Sequence, residues 1–409
     1  MPHSETVEDP RTPLTGSADL SDYVRDAAQR TPGRPAFRNG VTILTWAEMD
    51  ARVSAFAAGF AALPTPAAGP GDCPPRLLIA PADGLAFAAA YFGCLRAGLV
   101  AVPVDPRAPA PRRAAIAADA GAFAELTDAG LRPLDPPAAP VPAGPECPAV
   151  LLYPPGDPVP GGAAMLPHRA LLAHHEQLSR VEPPLVRGDD TVLLAAPLHQ
   201  AYGLNCGLGA VAYHGACGVL ADRADPARLR ELVAAHHATT VLGVPALYAG
   251  WVDLPDLGPA LETVRLAACG PRPPGPAVAR RFSARTGHRI FAGYGLAEAA
   301  PVLTTTLAGA ESDRRGVRIG HPLPGVQVRL RGRDGVAVPT RADDGAPPPD
   351  GEIVVRGPNL FTGYWPDGRG GPDPDGWWAT GDRAHADADG ALYLENRADE
   401  NRADEGEGP

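Results

Sequence analysis

Three stretches of this 409-residue chain gather side chains that can do chemistry. Residues 291–298 read FAGYGLAE, which sets the ring of Tyr294 between Gly293 and Gly295 and puts the carboxylate of Glu298 four residues on. An aromatic ring beside glycines offers a flat surface that another ring can approach closely. Residues 377–397 read WWATGDRAHADADGALYLENR, and Asp382 follows a Thr-Gly turn, a natural place for a carboxylate that accepts from a diol. Residues 197–204 read PLHQAYGL and bring His199, Gln200, Tyr202 and Gly203 into one short, partly polar segment. The alternative is that Tyr294, Glu298 and Asp382 are ordinary turn and cap residues, and spacing alone leaves both open. His199 or His168 could serve as acid or base, although a lone histidine is more often structural. The pairs His174–His175 and His236–His237 lack partners at metal-ligand spacing and read as helix-surface residues.

Composition removes several chemistries. All 36 basic residues are Arg, so no Schiff base, no P-loop lysine and no lysine ammonium at a phosphoryl group can come from this chain. A net charge of −11 argues against nucleic-acid or anionic-membrane partners, which need a basic field. The six cysteines form no CxxC pair and mostly sit in apolar stretches, as buried thiols do. The polar N-terminus has no signal-peptide core, and the longest apolar run, near residues 86–104, is broken by Arg96 and Pro103. The expectation is a cytoplasmic protein with no membrane segment.

The elements that must position these residues alternate. Apolar periodicity predicts helices over residues 20–30, with Ser17 placed to cap, and 45–63, the latter with Trp46, Met49, Val53, Phe56 and Phe60 on one face. Strand, helix, strand over residues 76–82, 86–98 and 99–104 implies a parallel pair with a crossover helix. Residues 131–148 read as irregular. Further short apolar runs at 149–153, 191–196, 217–221, 240–244 and 264–268 continue the alternation. From about residue 320 the runs VQVRLRG, GEIVVRG and ALYLENR predict a small antiparallel unit. The fold class expected is α/β, with parallel or mixed sheets flanked by helices in two large subdomains, plus a small antiparallel β subdomain. The predicted organisation is a flexible tail (1–16), an α/β core of two subdomains (17–318), the β subdomain (319–397) and a charged tail (398–409).

Seven segments, in the family's order, resemble the superfamily of adenylate-forming enzymes: acyl-CoA synthetases, aryl-acid ligases, fatty-acyl-AMP ligases and adenylation domains. FAGYGLAE looks like the family's G-Y-G-x-T-E segment, and residues 377–397 are similar to its W-x-T-G-D stretch with the following Gly-Arg pair, Asn396 replacing the Gly. PLHQAYGL resembles the segment lining the acyl pocket. VPALY, IGHPLPGV and GEIVVRGPNLFTGYW match further signatures, and HRALL matches the helix after the phosphate loop. The resemblance implies binding of ATP or AMP with Mg2+, and activation of a small carboxylic acid, acyl or aryl, in a specialised biosynthetic pathway. It implies that Tyr294 stacks on adenine, Glu298 holds magnesium, Asp382 takes the ribose hydroxyls, and Arg397 lies near ribose or phosphate. Glu298 and Arg397 become the catalytic candidates, Gly270, Gly293 and Gly295 join the cofactor side, and His199, Gln200, Tyr202 and Gly203 form the substrate pocket.

The sequence also departs from that pattern. Where the family carries a Ser-, Thr- and Gly-rich phosphate loop ending in Pro-Lys-Gly, this chain reads YPPGDPVPGGAAMLPHR. Such loops work through backbone N–H groups, hydroxyls and a cation. Pro154, Pro155, Pro158 and Pro160 have no N–H, Gly162 or its neighbour stands at the lysine position, and Asp157 adds repulsion. Ala297 replaces the family's Thr, Gln200 aligns with its pocket His, and the charged tail stands where its mobile C-terminal domain would follow. The C-terminal domain is expected to be supplied by a separate protein, with a carrier protein or CoA as acceptor. A binding or scaffold role without catalysis, and a role for the acyl pocket without ATP, remain open beside the ligase reading.

Overall fold

Thr45 starts the helix Trp46–Ala61 by accepting from the Glu48 amide at 3.2 Å while Glu48 accepts from the Thr45 amide at 2.8 Å. The predicted apolar face is buried at Trp46, Met49, Val53 and Phe60, with Phe56 half-buried. The computed structural model describes residues 19–40, 42–64, 72–134, 146–154, 162–221, 225–307, 317–333, 335, 337–338 and 350–395. Ser17, the tail over residues 1–16, residues 155–161, Arg397 and residues 398–409 lie outside the described part.

The predicted parallel pair is present: Arg76–Ile79 lies beside Val100–Pro103, joined by the helix Gly84–Arg96. That helix is buried at ten of its thirteen residues, as an apolar-all-round sequence requires. A six-stranded sheet forms around the pair, in the order Gly130–Pro133, Ala122–Thr127, Arg76–Ile79, Val100–Pro103, Val150–Leu152, Ala164–Leu166. Its four middle strands are parallel and both outer strands antiparallel. Residues 131–133, expected to be irregular, belong to the outer strand Gly130–Pro133, which pairs with Ala122–Thr127 through Leu126↔Leu131.

The second sheet has fourteen strands among the described residues. Its parallel part runs Ile290–Gly295, Leu266–Cys269, Thr240–Gly243, Thr191–Leu194, Cys217–Leu220, Pro35–Asn39, with the antiparallel edge strand Thr42–Thr45. The continuous apolar runs in TVLL, CGVL, TVLG and LAAC fit strands covered on both faces. From Ile290–Gly295 the ladder turns antiparallel through Val302–Thr305, Val317–Pro322, Leu392–Leu394, Trp378–Ala386, Asp350–Arg356, Gln327–Arg331 and Ala337–Val338. Trp378–Ala386 is a nine-residue strand that the sequence, WATGDRAHA, gives little apolar reason to expect. The fold is the expected α/β arrangement of parallel and mixed sheets flanked by helices, with an antiparallel extension. Five cysteines are buried, Cys147 is exposed, and none of the six is in a disulfide. Among the described residues no helix is long and apolar enough to cross a membrane.

One expectation fails in the core. His174 and His175 are 0% and 1% exposed, not on a helix surface. Their helix, His168–Ser179, is buried on more than one side, at Ala170, Leu171, Leu172, Gln177 and Leu178 as well, so the histidines have no outward face to occupy. His175 lies edge-on to Tyr23 (5.6 Å) and stacked on Tyr213 (5.8 Å), and Tyr213 in turn meets His214 at 4.8 Å. Of the other pair, His237 is exposed and His236 half-buried.

Burial pulls the His214 pKa from its ordinary 6.5 down to about 4, with Asp190 opposing and Arg265 and Arg30 reinforcing. The unfolded chain therefore takes up a proton near pH 6.5 that the folded chain takes up only near pH 4, so stability falls as pH drops through that window. Thermal melts of the wild type and His214→Gln across this window test the effect. The variant is expected to lose less of its midpoint between the two pH values; parallel curves would contradict it.

Candidate functional site

Both sheets end their parallel strands at one place. Val150–Leu152 runs out into Tyr153 and Pro154, Leu266–Cys269 into Gly270, Ile290–Gly295 into the turn carrying Glu298, and Thr191–Leu194 leads to His199. These carboxyl ends surround a mostly apolar cavity of about 710 Å³, and a crevice beyond the carboxyl ends of parallel strands is where such sheets bind ligands. His199, Gln200, Tyr202, Gly270, Gly293, Tyr294, Gly295 and Glu298 all line it. Gly203 and Asp382 do not line the cavity directly.

Asp382 is nevertheless part of the site, because the Tyr294 hydroxyl donates to its Oδ2 at 2.9 Å. The two residues are 88 positions apart, and the antiparallel ladder from Ile290–Gly295 to Trp378–Ala386 brings them together. Tyr294 is 6% exposed with its ring on the cavity wall. Glu298 sits on a short turn of 3-10 helix, and its Oε1 accepts from the Tyr364 hydroxyl at 2.7 Å. Burial, and then this bond to Glu298, raise the Tyr364 pKa well above the usual phenol range, so the proton stays on Tyr364. Tyr364 is a cavity residue that no local motif singles out, although it lies in GEIVVRGPNLFTGYW. Its contact with Glu298 spans 66 residues, which no local pattern can reveal.

The glycines are explained by backbone packing. A Cβ at Gly295 would lie 1.8 Å from the Pro301 carbonyl oxygen, and one at Gly293 2.8 Å from that of Thr304, so both let Val302–Thr305 close on its neighbour strand. A Cβ at Gly270 would meet the Tyr202 ring at 2.5 Å, and one at Gly203 the Pro197 oxygen at 2.1 Å. Gly203 thereby lets the π-helix Tyr202–Gly209 start close against residues 196–197; π-helical turns are frequent at functional sites. His199 is 13% exposed by side chain, with Nε2 4.0 Å from Asp105 Oδ2.

The phosphate-loop position is shaped by a second backbone contact. Residues 163–165 pair with 363–365: the Trp365 amide donates to Ala163 at 2.8 Å and the Met165 amide to Gly363 at 3.0 Å. The Trp365 indole donates to the Asp119 carbonyl at 2.9 Å, and the Arg76 guanidinium lies over its ring at 5.3 Å. Gly162 enters this ladder at φ +79°, and a Cβ there would sit 2.4 Å from the Trp365 carbonyl oxygen. The residue at or beside the family's lysine position thus has no space for any side chain. The described lining of the cavity contains no Arg, and residues 151–167 contain no basic residue at all.

A divalent cation has one well-placed donor. Glu298 fits Mg2+ as a single carboxylate ligand of the kind used when phosphates and water complete the shell, since among the described residues no cluster of three or more His, Cys, Asp or Glu forms a cage.

A family model described as AMP-binding enzyme matches residues 24–152 and 162–365. The chain is 31% identical over 398 residues to a feruloyl-CoA synthase of Amycolatopsis sp, covering 90% of this chain and 77% of that one. It is 34% identical over 243 residues to a long-chain-fatty-acid–CoA ligase of Yersinia pestis, covering 57% of this chain and 41% of the relative. The inhibitor-bound N-terminal domain of FACL13 from Mycobacterium tuberculosis shares the fold, with a TM-score of 0.77 at 20% identity over 93% of this chain and 100% of that one. With the family model matching most of its length, the chain belongs to the AMP-binding enzyme family, among relatives that are acyl-CoA synthetases and ligases.

Proposed function

We propose that this chain holds the AMP moiety and a small carboxylic acid in one cavity, as the body of a ligase that forms an acyl-adenylate. The observation that carries this reading is the Tyr294–Asp382 hydrogen bond at the wall of the apolar cavity. Tyr294 stacks on the adenine, and its hydroxyl orients Asp382 to accept from the ribose diol. Glu298, held by Tyr364, is the protein ligand to Mg2+, which when bound offsets charge on the phosphate oxygens. Arg397 completes the ribose or phosphate contacts. The carboxylate of the acid attacks the α-phosphorus of ATP and pyrophosphate leaves.

The acid lies toward His199, Gln200 and Tyr202, between Leu178, Leu185, Phe291 and Leu307, with Gly203 behind them. Apolar walls with a polar end favour an aryl acid, in line with the feruloyl-CoA synthases matched over most of their length. The phosphate-side cation comes from beyond the described lining, from Arg397 or from a partner protein, and the acceptor is CoA or a carrier protein. A second reading has its own support: with no Arg on the described cavity lining and no basic residue in residues 151–167, the chain binds AMP or an acyl-adenylate for a partner without forming it.

Pyrophosphate exchange with a panel of aryl and fatty acids, ferulate included, separates the two readings. Exchange above background with an aryl acid supports the ligase; AMP binding without exchange supports the binding protein; neither binding nor exchange sinks both. Tyr294→Ala is expected to weaken AMP by about tenfold to a hundredfold, as loss of base–aromatic stacking does. An unchanged AMP affinity would remove Tyr294 from the nucleotide site. Gly162→Lys, a lysine returned to the expected position, is expected to lower stability by about 2 kcal/mol and leave ATP no tighter. A stable variant with improved ATP affinity would contradict the steric account of Gly162.

A further inference from the structure

Behind Glu298 the chain turns through Ala300 in the left-handed region (φ +60°), then Pro301 and Val302, before entering the strand Val302–Thr305. A left-handed backbone at a non-glycine residue persists only where its surroundings hold it. Three side chains do so. Asn359 donates to the carbonyls of Ala299 at 2.8 Å and Val302 at 3.2 Å. Asn205, on the π-helix Tyr202–Gly209, donates from Nδ2 to the Ala300 carbonyl at 2.6 Å. His174 receives the Val302 amide on Nε2 at 3.2 Å.

These contacts overcommit His174. Its other nitrogen, Nδ1, lies 3.1 Å from the same Asn205 Nδ2. The Asn205 amide cannot be turned round to relieve this. Its Nδ2 must face the Ala300 carbonyl, which only accepts, and its Oδ1 lies toward His175: a Cβ on Gly209 would meet Oδ1 at 3.0 Å and His175 Nε2 at 2.5 Å. His174 is 0% exposed, and burial drives its pKa well below the ordinary value, so the ring is neutral. A neutral imidazole has one lone pair, and here two donors face it.

We propose that His174 is a positioning residue that alternates between two tautomers, accepting either from Asn205 on the π-helix or from the Val302 amide behind Glu298. With Nδ1 as acceptor, the Nε2 proton faces the Cys206 sulfur at 4.0 Å and the Val302 amide is released. With Nε2 as acceptor, the Val302 amide is held and the Asn205 contact is lost. Each state favours one partner, and a buried network of this kind has two discrete arrangements. The π-helix begins at Tyr202 on the acid side of the cavity, and Val302 follows the turn of Tyr294 and Glu298 on the nucleotide side. His174 therefore links the two sides, a role that rests on the nucleotide reading only in what the link serves.

Nitrogen-15 NMR of the full chain labelled at histidine tests this at neutral pH, with His174 signals assigned by their loss in His174→Asn. The ligand-free wild type is expected to show both His174 tautomers, as separate or averaged ring signals. Asn205→Leu is expected to collapse them to the single form protonated at Nδ1; if that variant does not fold, Asn205→Ala gives the same readout. A single wild-type tautomer, or a ratio that the Asn205 variants leave unchanged, overturns the proposal. AMP, with binding checked by calorimetry on the same sample, is expected to change the wild-type ratio. Bound AMP with an unmoved ratio overturns the link between the two sides. Failure of AMP to bind would count against the nucleotide site, while the ligand-free ratio still decides the claim about His174.

Discussion

The backbone pairing of residues 361–365 is the contact on which the rest of the site depends. On one side this segment hydrogen-bonds to residues 163–165, the outer strand of the six-stranded sheet, and on the other the Phe361 amide donates to the Glu298 carbonyl at 2.8 Å. Two sheets that share no strand are thereby held with their carboxyl ends facing one cavity. The same pairing covers an open sheet edge that would otherwise invite association. It also forces Gly162 into a conformation and a spacing that no other residue tolerates.

This arrangement divides the cavity chemically. On the side proposed for the nucleoside Tyr294 holds Asp382, and toward the side proposed for the phosphates Tyr364 holds Glu298, each through a phenolic donor and a carboxylate acceptor. Such pairs orient carboxylates before a ligand arrives, which lowers the ordering cost of binding. The phosphate side, by contrast, carries Glu298 and, in sequence, Asp157, with no cation among the described lining. Fixed donors and cations are the main means by which phosphoryl transfer is accelerated. On the proposed assignment, the described lining offers more to an adenylate than to a triphosphate.

Much of this was legible in the sequence, and the failures have physical reasons. Tyr294 and Glu298 stand out because they lie within one short segment, FAGYGLAE, and Asp382 because it follows Thr-Gly, although the structure continues a strand through that pair. The Tyr364–Glu298 and His174–Val302 contacts could not, since they join residues far apart in the chain. His174 and His175 misled because a polar pair suggests a wet helix face, whereas their helix has core packed around it. The glycines of GYG line the cavity and also make room for Pro301 and Thr304, a packing role that involves a strand later in the chain. The strand Trp378–Ala386 escaped because its half-buried face follows no clean alternation.

The central claim, a proposed nucleoside site beside a phosphate side with no cation among the described residues, is tested most directly by calorimetry of this chain with AMP and with ATP in the presence of Mg2+. The account predicts that AMP binds and that ATP binds more weakly, because added phosphate charge meets no cationic side chain on the described lining. ATP binding more tightly than AMP would contradict it.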